Sequence, residues 1–132
     1  MTPTGTMSSL AASHAYAVLP AEDISRARAF YGDTLGLPVE DMPGPQFMIH
    51  AGGDSRVLVY ETSHTTAHNT AAVFLVDDLP ATMSALSSHG VCFEEYDMPG
   101  LKTVDGIAES PSGSSAWFTD SEGNIVSLTH MH

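Results

Sequence analysis

The sequence predicts an α+β fold made of two tandem strand–helix–strand modules. Three observations lead there. Short apolar runs of strand length alternate with single stretches whose apolar residues recur every three or four positions, the spacing of one helix face. The order of these segments then repeats: Asp23-Ile24 overlays Asp78-Leu79 at an offset of 55 residues, and Leu35-Gly36-Leu37 meets His89-Gly90-Val91 at 54. One residue of slippage across a helix is compatible with internal duplication. Finally, 132 residues at 42% hydrophobic composition are enough for one buried core and too few for two separate domains.

Taken in order, residues 1–11 read as a flexible leader without the basic start and apolar run of a secretion signal. A single domain follows over 12–132, with module one at about 12–62, a linker at about 63–70 and module two at about 71–130. His14 to Leu19 is short, apolar and followed by Pro20, which suits a strand ended by a turn. Ile24, Ala27, Phe30 and Tyr31 share one helical face after the polar start Glu22-Asp23, so a helix is expected from about Ser25 to Leu35, stopped by Gly36 with Pro38 beyond. A further short strand fits near Leu37 to Asp41. Gln46 to His50 and Arg56 to Thr62 then read as strands joined by a Gly52-Gly53-Asp54 turn. Module two repeats this grammar with a strand at Val73 to Val76, a helix at Asp78 to Ser88, and strands at Val91 to Tyr96, Ala116 to Thr119 and Ile125 to Thr129. The span from Asp97 to Ser115 reads as a long irregular loop of the kind that often binds ligands.

Composition excludes several function classes. Four Lys and Arg against 16 Asp and Glu give a formal net charge of −12, which is unsuited to nucleic acid or to an anionic membrane surface. No run of 18 apolar residues is present to span a bilayer. The single cysteine, Cys92, lies between Val91 and Phe93 and is expected as a core thiol in a cytoplasmic protein.

The run Asp23-Ile24-Ser25-Arg26-Ala27-Arg28-Ala29-Phe30-Tyr31 with Leu35-Gly36-Leu37 resembles the opening motif of the vicinal oxygen chelate superfamily, the group of glyoxalases, bleomycin-resistance proteins and extradiol dioxygenases. Ala116 to Leu128, with its acidic Gly123-Asn124 turn, is similar to the closing motif. The resemblance covers about residues 12 to 130. It implies two βαβββ modules forming a curved mixed sheet around a cup-shaped cavity, completed in a homodimer. Metal-dependent members carry His or carboxylate ligands on four strands, and carrying that pattern over places the four positions at Tyr16, near Tyr60, at Ala71 and at Ser127. None holds the usual ligand, so no metal or other cofactor is expected; the minority reading keeps a divalent ion.

Candidate site residues follow from strand faces. His14, Tyr16 and Val18 alternate onto one face, which makes His14 the first candidate for a general base or polar anchor. Tyr16 and Tyr60 replace former ligands with phenols suited to stacking on a planar molecule. His50, Phe74, Trp117 and Ser127 are expected to line the same cavity, and Lys102 is the one cation of the long loop. Trp117 and Phe118 are adjacent on one strand, so only one of them faces the cavity. The leading expectation is binding and sequestration of a small apolar or aromatic molecule, as in drug-binding, antibiotic-resistance members. The competing expectation is an enzyme, a lyase, isomerase, cyclase or dioxygenase, using His14 and Tyr60 or a divalent metal.

Overall fold

The computed structural model describes residues 14–63 and 69–132, together with Ala11; most of the expected leader, and His64 and His68 of the expected linker, lie outside the described residues. The chain forms two four-stranded mixed sheets of identical topology. In the first, β1 (Ala17–Ala21) pairs in parallel with β4 (Arg56–Glu61), and β3 (Gln46–His50) and β2 (Val39–Asp41) follow antiparallel. In the second, β5 (Thr70–Leu75) pairs in parallel with β10 (Ile125–Met131), followed by β9 (Gly113–Thr119) and β8 (Ala108–Ser110). No backbone pairing joins the sheets among the described residues, so β1 and β5 are both edge strands. That position tolerates Pro20 inside β1 rather than at its end, since an edge strand need not donate on both sides.

Each module crosses over through one helix. α1 (Ile24–Ala29) is capped by Asp23, whose carboxylate accepts the Arg26 N–H at 3.0 Å. It runs on as a wider π-type turn over Phe30–Thr34, where the Leu35 N–H reaches the Phe30 carbonyl at 2.9 Å. Gly36, at φ 72°, ends the segment in a backbone conformation that side-chain-bearing residues avoid. α2 (Leu79–Ser87) is capped in the same way by Asp78, which accepts the Ala81 N–H at 3.0 Å.

Module two departs from expectation between its helix and β9. Val91 to Tyr96 is not a strand; only Phe93 bridges to Phe118. The expected irregular stretch instead holds a hairpin of β6 (Asp97–Met98) and β7 (Leu101–Lys102), then β8 and the start of β9. Cys92 is exposed rather than in the core, because Val91 takes the buried position beside it.

The core has two clusters on the helix-covered sides of the sheets. Leu19, Tyr31, Phe47, Ile49 and Val59 dominate the first, and Leu79, Met83, Phe118, Val126 and Leu128 the second. Phe30 and Leu35 pack against both, so the first helical segment lies between the modules.

A polar latch reinforces this join. The buried Tyr31 hydroxyl donates to Asp120 Oδ2 at 2.5 Å, and Asp120 Oδ1 accepts the N–H groups of Glu122 and Asn124 at 2.8 Å. Asn124 Nδ2 donates to the Pro20 carbonyl at 2.9 Å. Glu122 Oε1 accepts the N–H groups of Glu22 and Asp23 at 2.9 and 2.8 Å, and Arg26 closes a bidentate pair on the same carboxylate at 2.7 and 3.0 Å. Burial pushes the Glu122 carboxyl upward, but hydrogen bonds from Arg26, Asp23 and Ser121 and the guanidinium charge outweigh it and hold the group at about 2. Burial, then the neighbouring Asp120 charge, pushes the Tyr31 phenol far above its ordinary range.

Candidate functional site

Strand alternation assigns every side chain of the two sheets to a helix-covered face or an open one. On the first sheet Leu19, Val57, Val59, Phe47 and Ile49 go to the core. The open face receives Tyr16, Val18, Met48, His50, Arg56, Leu58 and Tyr60, with Met48 opposite Leu58 and His50 opposite Arg56. On the second sheet Phe118, Val126 and Leu128 go to the core, and Val73, Leu75, Ser115, Trp117, Ser127 and Thr129 share the open face.

Most of the large exposed apolar side chains among the described residues lie on these open faces. Tyr16 is 52% exposed, Val18 51%, Val73 53% and Leu75 69%, and Tyr60 and Met131 join them. A soluble fold seldom leaves several large apolar side chains together in water without a use for them.

The first face gathers His14, Tyr16, Asp54 and Arg56 around a shallow site of about 220 Å³. His50 stands beside it with Nε2 2.7 Å from Glu40 Oε1. The second face is built around Trp117, whose Nε1 donates to Thr70 Oγ1 at 3.2 Å and whose ring meets Tyr96 edge-on at 5.6 Å between centroids. Trp117, Ser115, Leu101 and Lys102 line a groove of about 170 Å³ under the β6–β7 hairpin. Trp117 therefore takes the open side while Phe118 is buried.

The structure brings together His14 with Tyr16, and Lys102 with Trp117, but each pair belongs to a different site. Phe74 belongs to neither; it borders a separate cavity of about 480 Å³ with Ala15, Arg56, Val73 and Leu75. It packs on the helix-covered side with Val76, Leu86 and Phe118, because its neighbours Val73 and Leu75 take the open face. Ser115, Thr129 and Tyr96 were not expected from the sequence. The alternation of Ser115 with Trp117, and of Ser127 with Thr129, was the available signal.

Strand register also refines the four positions at which metal-binding relatives carry ligands. Val18 pairs with Leu58 and Val73 with Ser127, and the offset of 55 residues relates Val18 to Val73. The counterpart of Ser127 is therefore Leu58, and that of Thr129 is Tyr60. A set of Tyr16, Leu58, Ala71 and Ser127 contains no imidazole, thiolate or carboxylate, and no three such groups converge elsewhere among the described residues. These residues do not fit a divalent ion.

Three comparisons place the chain among known proteins. The profile of the Glyoxalase/Bleomycin resistance protein/Dioxygenase superfamily matches residues 13–128. No curated protein matches significantly. Among solved structures, the chain is similar to TnmS3, an antibiotic binding protein from Streptomyces sp. CB03234, at 22% identity and TM-score 0.70, over 92% of this chain and 98% of that one. It is similar to lactoylglutathione lyase from Agrobacterium tumefaciens at 18% identity and TM-score 0.67, covering 90% and 93% respectively. It also resembles the oxidase ChaP-H2 at 19% identity and TM-score 0.66, covering 91% and 94%. At such identities these structures speak to the fold alone. With repeated βαβββ topology, a profile spanning both modules and these neighbours, the chain belongs to the Glyoxalase/Bleomycin resistance protein/Dioxygenase superfamily.

Proposed function

We propose that this chain binds a small, largely apolar or aromatic organic molecule on the open faces of its sheets, without a metal, and protects or sequesters it unchanged. The observation that carries this reading is the set of exposed aromatic and aliphatic side chains there, Tyr16, Val18 and Tyr60 on one sheet and Val73 and Leu75 on the other, with the half-buried Trp117 beside the latter pair. Burying such a side chain from full exposure is worth about 1.5–3 kcal/mol and roughly half that from the half-exposed state seen here, so a ligand must cover several of them to offset the entropic cost of association. We infer further that a second copy of the chain supplies the opposing wall, since one chain leaves both faces open. The antibiotic-binding neighbour is consistent with this reading.

Isothermal titration calorimetry against planar aromatic antibiotics, with the recovered ligand checked by mass spectrometry, tests the proposal. Binding without alteration, weakened about tenfold by Tyr16→Ala, is expected from the loss of one stacked ring. Dialysis against a chelator leaves the affinity unchanged, and light scattering reports a dimer. Catalytic turnover of the ligand, or metal-restored binding after chelation, overturns the reading.

Turnover is the second reading, favoured by one arrangement. His14 shares its site with Tyr16, Asp54 and Arg56, a set able to exchange a proton with a bound carbonyl compound. In that case His14→Ala abolishes turnover while retaining binding.

A further inference from the structure

The open face of the second sheet carries a polar feature that an apolar wall does not require. Ser115 Oγ lies 2.8 Å from Thr129 Oγ1, which lies 3.2 Å from Ser127 Oγ, so three hydroxyls form a row across β9 and β10. Each hydroxyl holds one hydrogen and two lone pairs. Run in one direction, the row ends on the Leu128 carbonyl, 3.4 Å from Ser127 Oγ, a long contact. Reversed by three bond rotations, it ends on Ser115 with a hydrogen directed outward. Ser115 thus offers a ligand oxygen either a hydrogen or a lone pair.

Ser115 opens into the groove that Trp117 and Lys102 also line. Lys102 makes no ion pair among the described residues, whereas Arg26 and Arg28 are each committed to a carboxylate. Asp97 stands opposite Lys102 across the hairpin. Glu109 borders the groove too, but its carboxylate accepts the Ser114 hydroxyl, which belongs to the other side of β9. In a chain of net charge −12, an uncommitted ammonium beside an aromatic floor and a reversible hydroxyl is a combination suited to an anion on a ring.

We propose that this groove is the subsite for an anionic oxygen, carboxylate or phenolate, of an aromatic ligand: the ring lies on Trp117 and the oxygen is held between Lys102 and Ser115. The proposal rests on the reading that the open faces bind aromatic molecules, and it names which molecules the second sheet selects.

The test compares 2-naphthoate with neutral 2-naphthalenemethanol by calorimetry on the full chain at neutral pH. Wild type prefers the naphthoate about fivefold, the upper end for one partly exposed ion pair. Lys102→Met abolishes that preference by weakening the naphthoate several-fold more than the alcohol, while Lys102→Arg retains it. Trp117 is the only tryptophan, so its emission changes when either ring enters the groove. Equal affinities in wild type, a preference surviving Lys102→Met, or binding that leaves Trp117 emission unaltered overturns the subsite. If the alcohol binds but the naphthoate gains nothing, only the subsite falls; if neither binds up to its solubility limit, the broader reading falls with it.

Discussion

Glu122→Gln is the perturbation that isolates the latch between the modules. The Glu122 side chain is almost fully buried, and its carboxyl is held at about 2 against an ordinary 4.5. A depressed carboxyl stabilises the fold above its unfolded pKa, and that stabilisation is lost as pH falls toward the folded value. The difference corresponds to about 3 kcal/mol at neutral pH, of which roughly 1.5 kcal/mol survives at pH 3. Gln keeps an acceptor for the Glu22 and Asp23 N–H groups but carries no charge for Arg26 and titrates nowhere in this range. Urea unfolding followed by Trp117 emission between pH 6 and pH 3 should show wild type losing about 2 kcal/mol more than the variant. At pH 6 the variant starts about 3 kcal/mol lower, and the two curves converge as the solution is acidified. Parallel curves, with the same pH slope in both proteins, would refute the assignment of this stability to Glu122.

Two further perturbations probe the packing. A Cβ on Gly113 would lie 2.2 Å from the backbone carbonyl oxygen of His130, so Gly113→Ala must push β9 from β10 and should cost about 3 kcal/mol in urea denaturation. A change under about 0.5 kcal/mol would show that the strands separate freely there. Cys92 is exposed, so Ellman's reagent should label it in the native protein at nearly the rate seen in urea, and Cys92→Ser should be neutral to within about 0.5 kcal/mol. Slow native labelling would place the thiol inside the fold.

Elements with a clear local signal are legible in the sequence itself. Gln46–His50 is bounded by turn residues on both sides, and Asp23 and Asp78 announce helix starts through the same capping chemistry. Phe74 shows where legibility stops. The run Ala71 to Val76 is apolar throughout, so nothing in it distinguishes the two faces, and parity is set only by pairing with β10. Val91 to Tyr96 has strand-like composition, yet it pairs with the sheet only as the isolated bridge of Phe93 to Phe118, with the Glu94 N–H donating to the Trp117 carbonyl at 2.8 Å. The hydroxyl row and the groove depend on the register of β9 with β10 and on the hairpin above them, which composition does not fix. His130 contacts the Val76 carbonyl through Nδ1 at 3.1 Å, a partner set by β5 lying beside β10 and likewise invisible in the composition of the tail.

The latch has a consequence for the order in which the protein is made. Glu122 and Asn124 satisfy the Glu22 and Asp23 N–H groups and the Pro20 carbonyl across sequence separations of 99 to 104 residues. At a synthesis rate of about 5–20 residues per second, the start of the first helix waits roughly 5–20 s for these partners. During that interval the first module has its own sheet and cap but neither the Arg26 partner nor the second core against Phe30. The nascent chain therefore passes through a half-built stage with an exposed apolar flank, and a chaperone acting on this protein would meet it there.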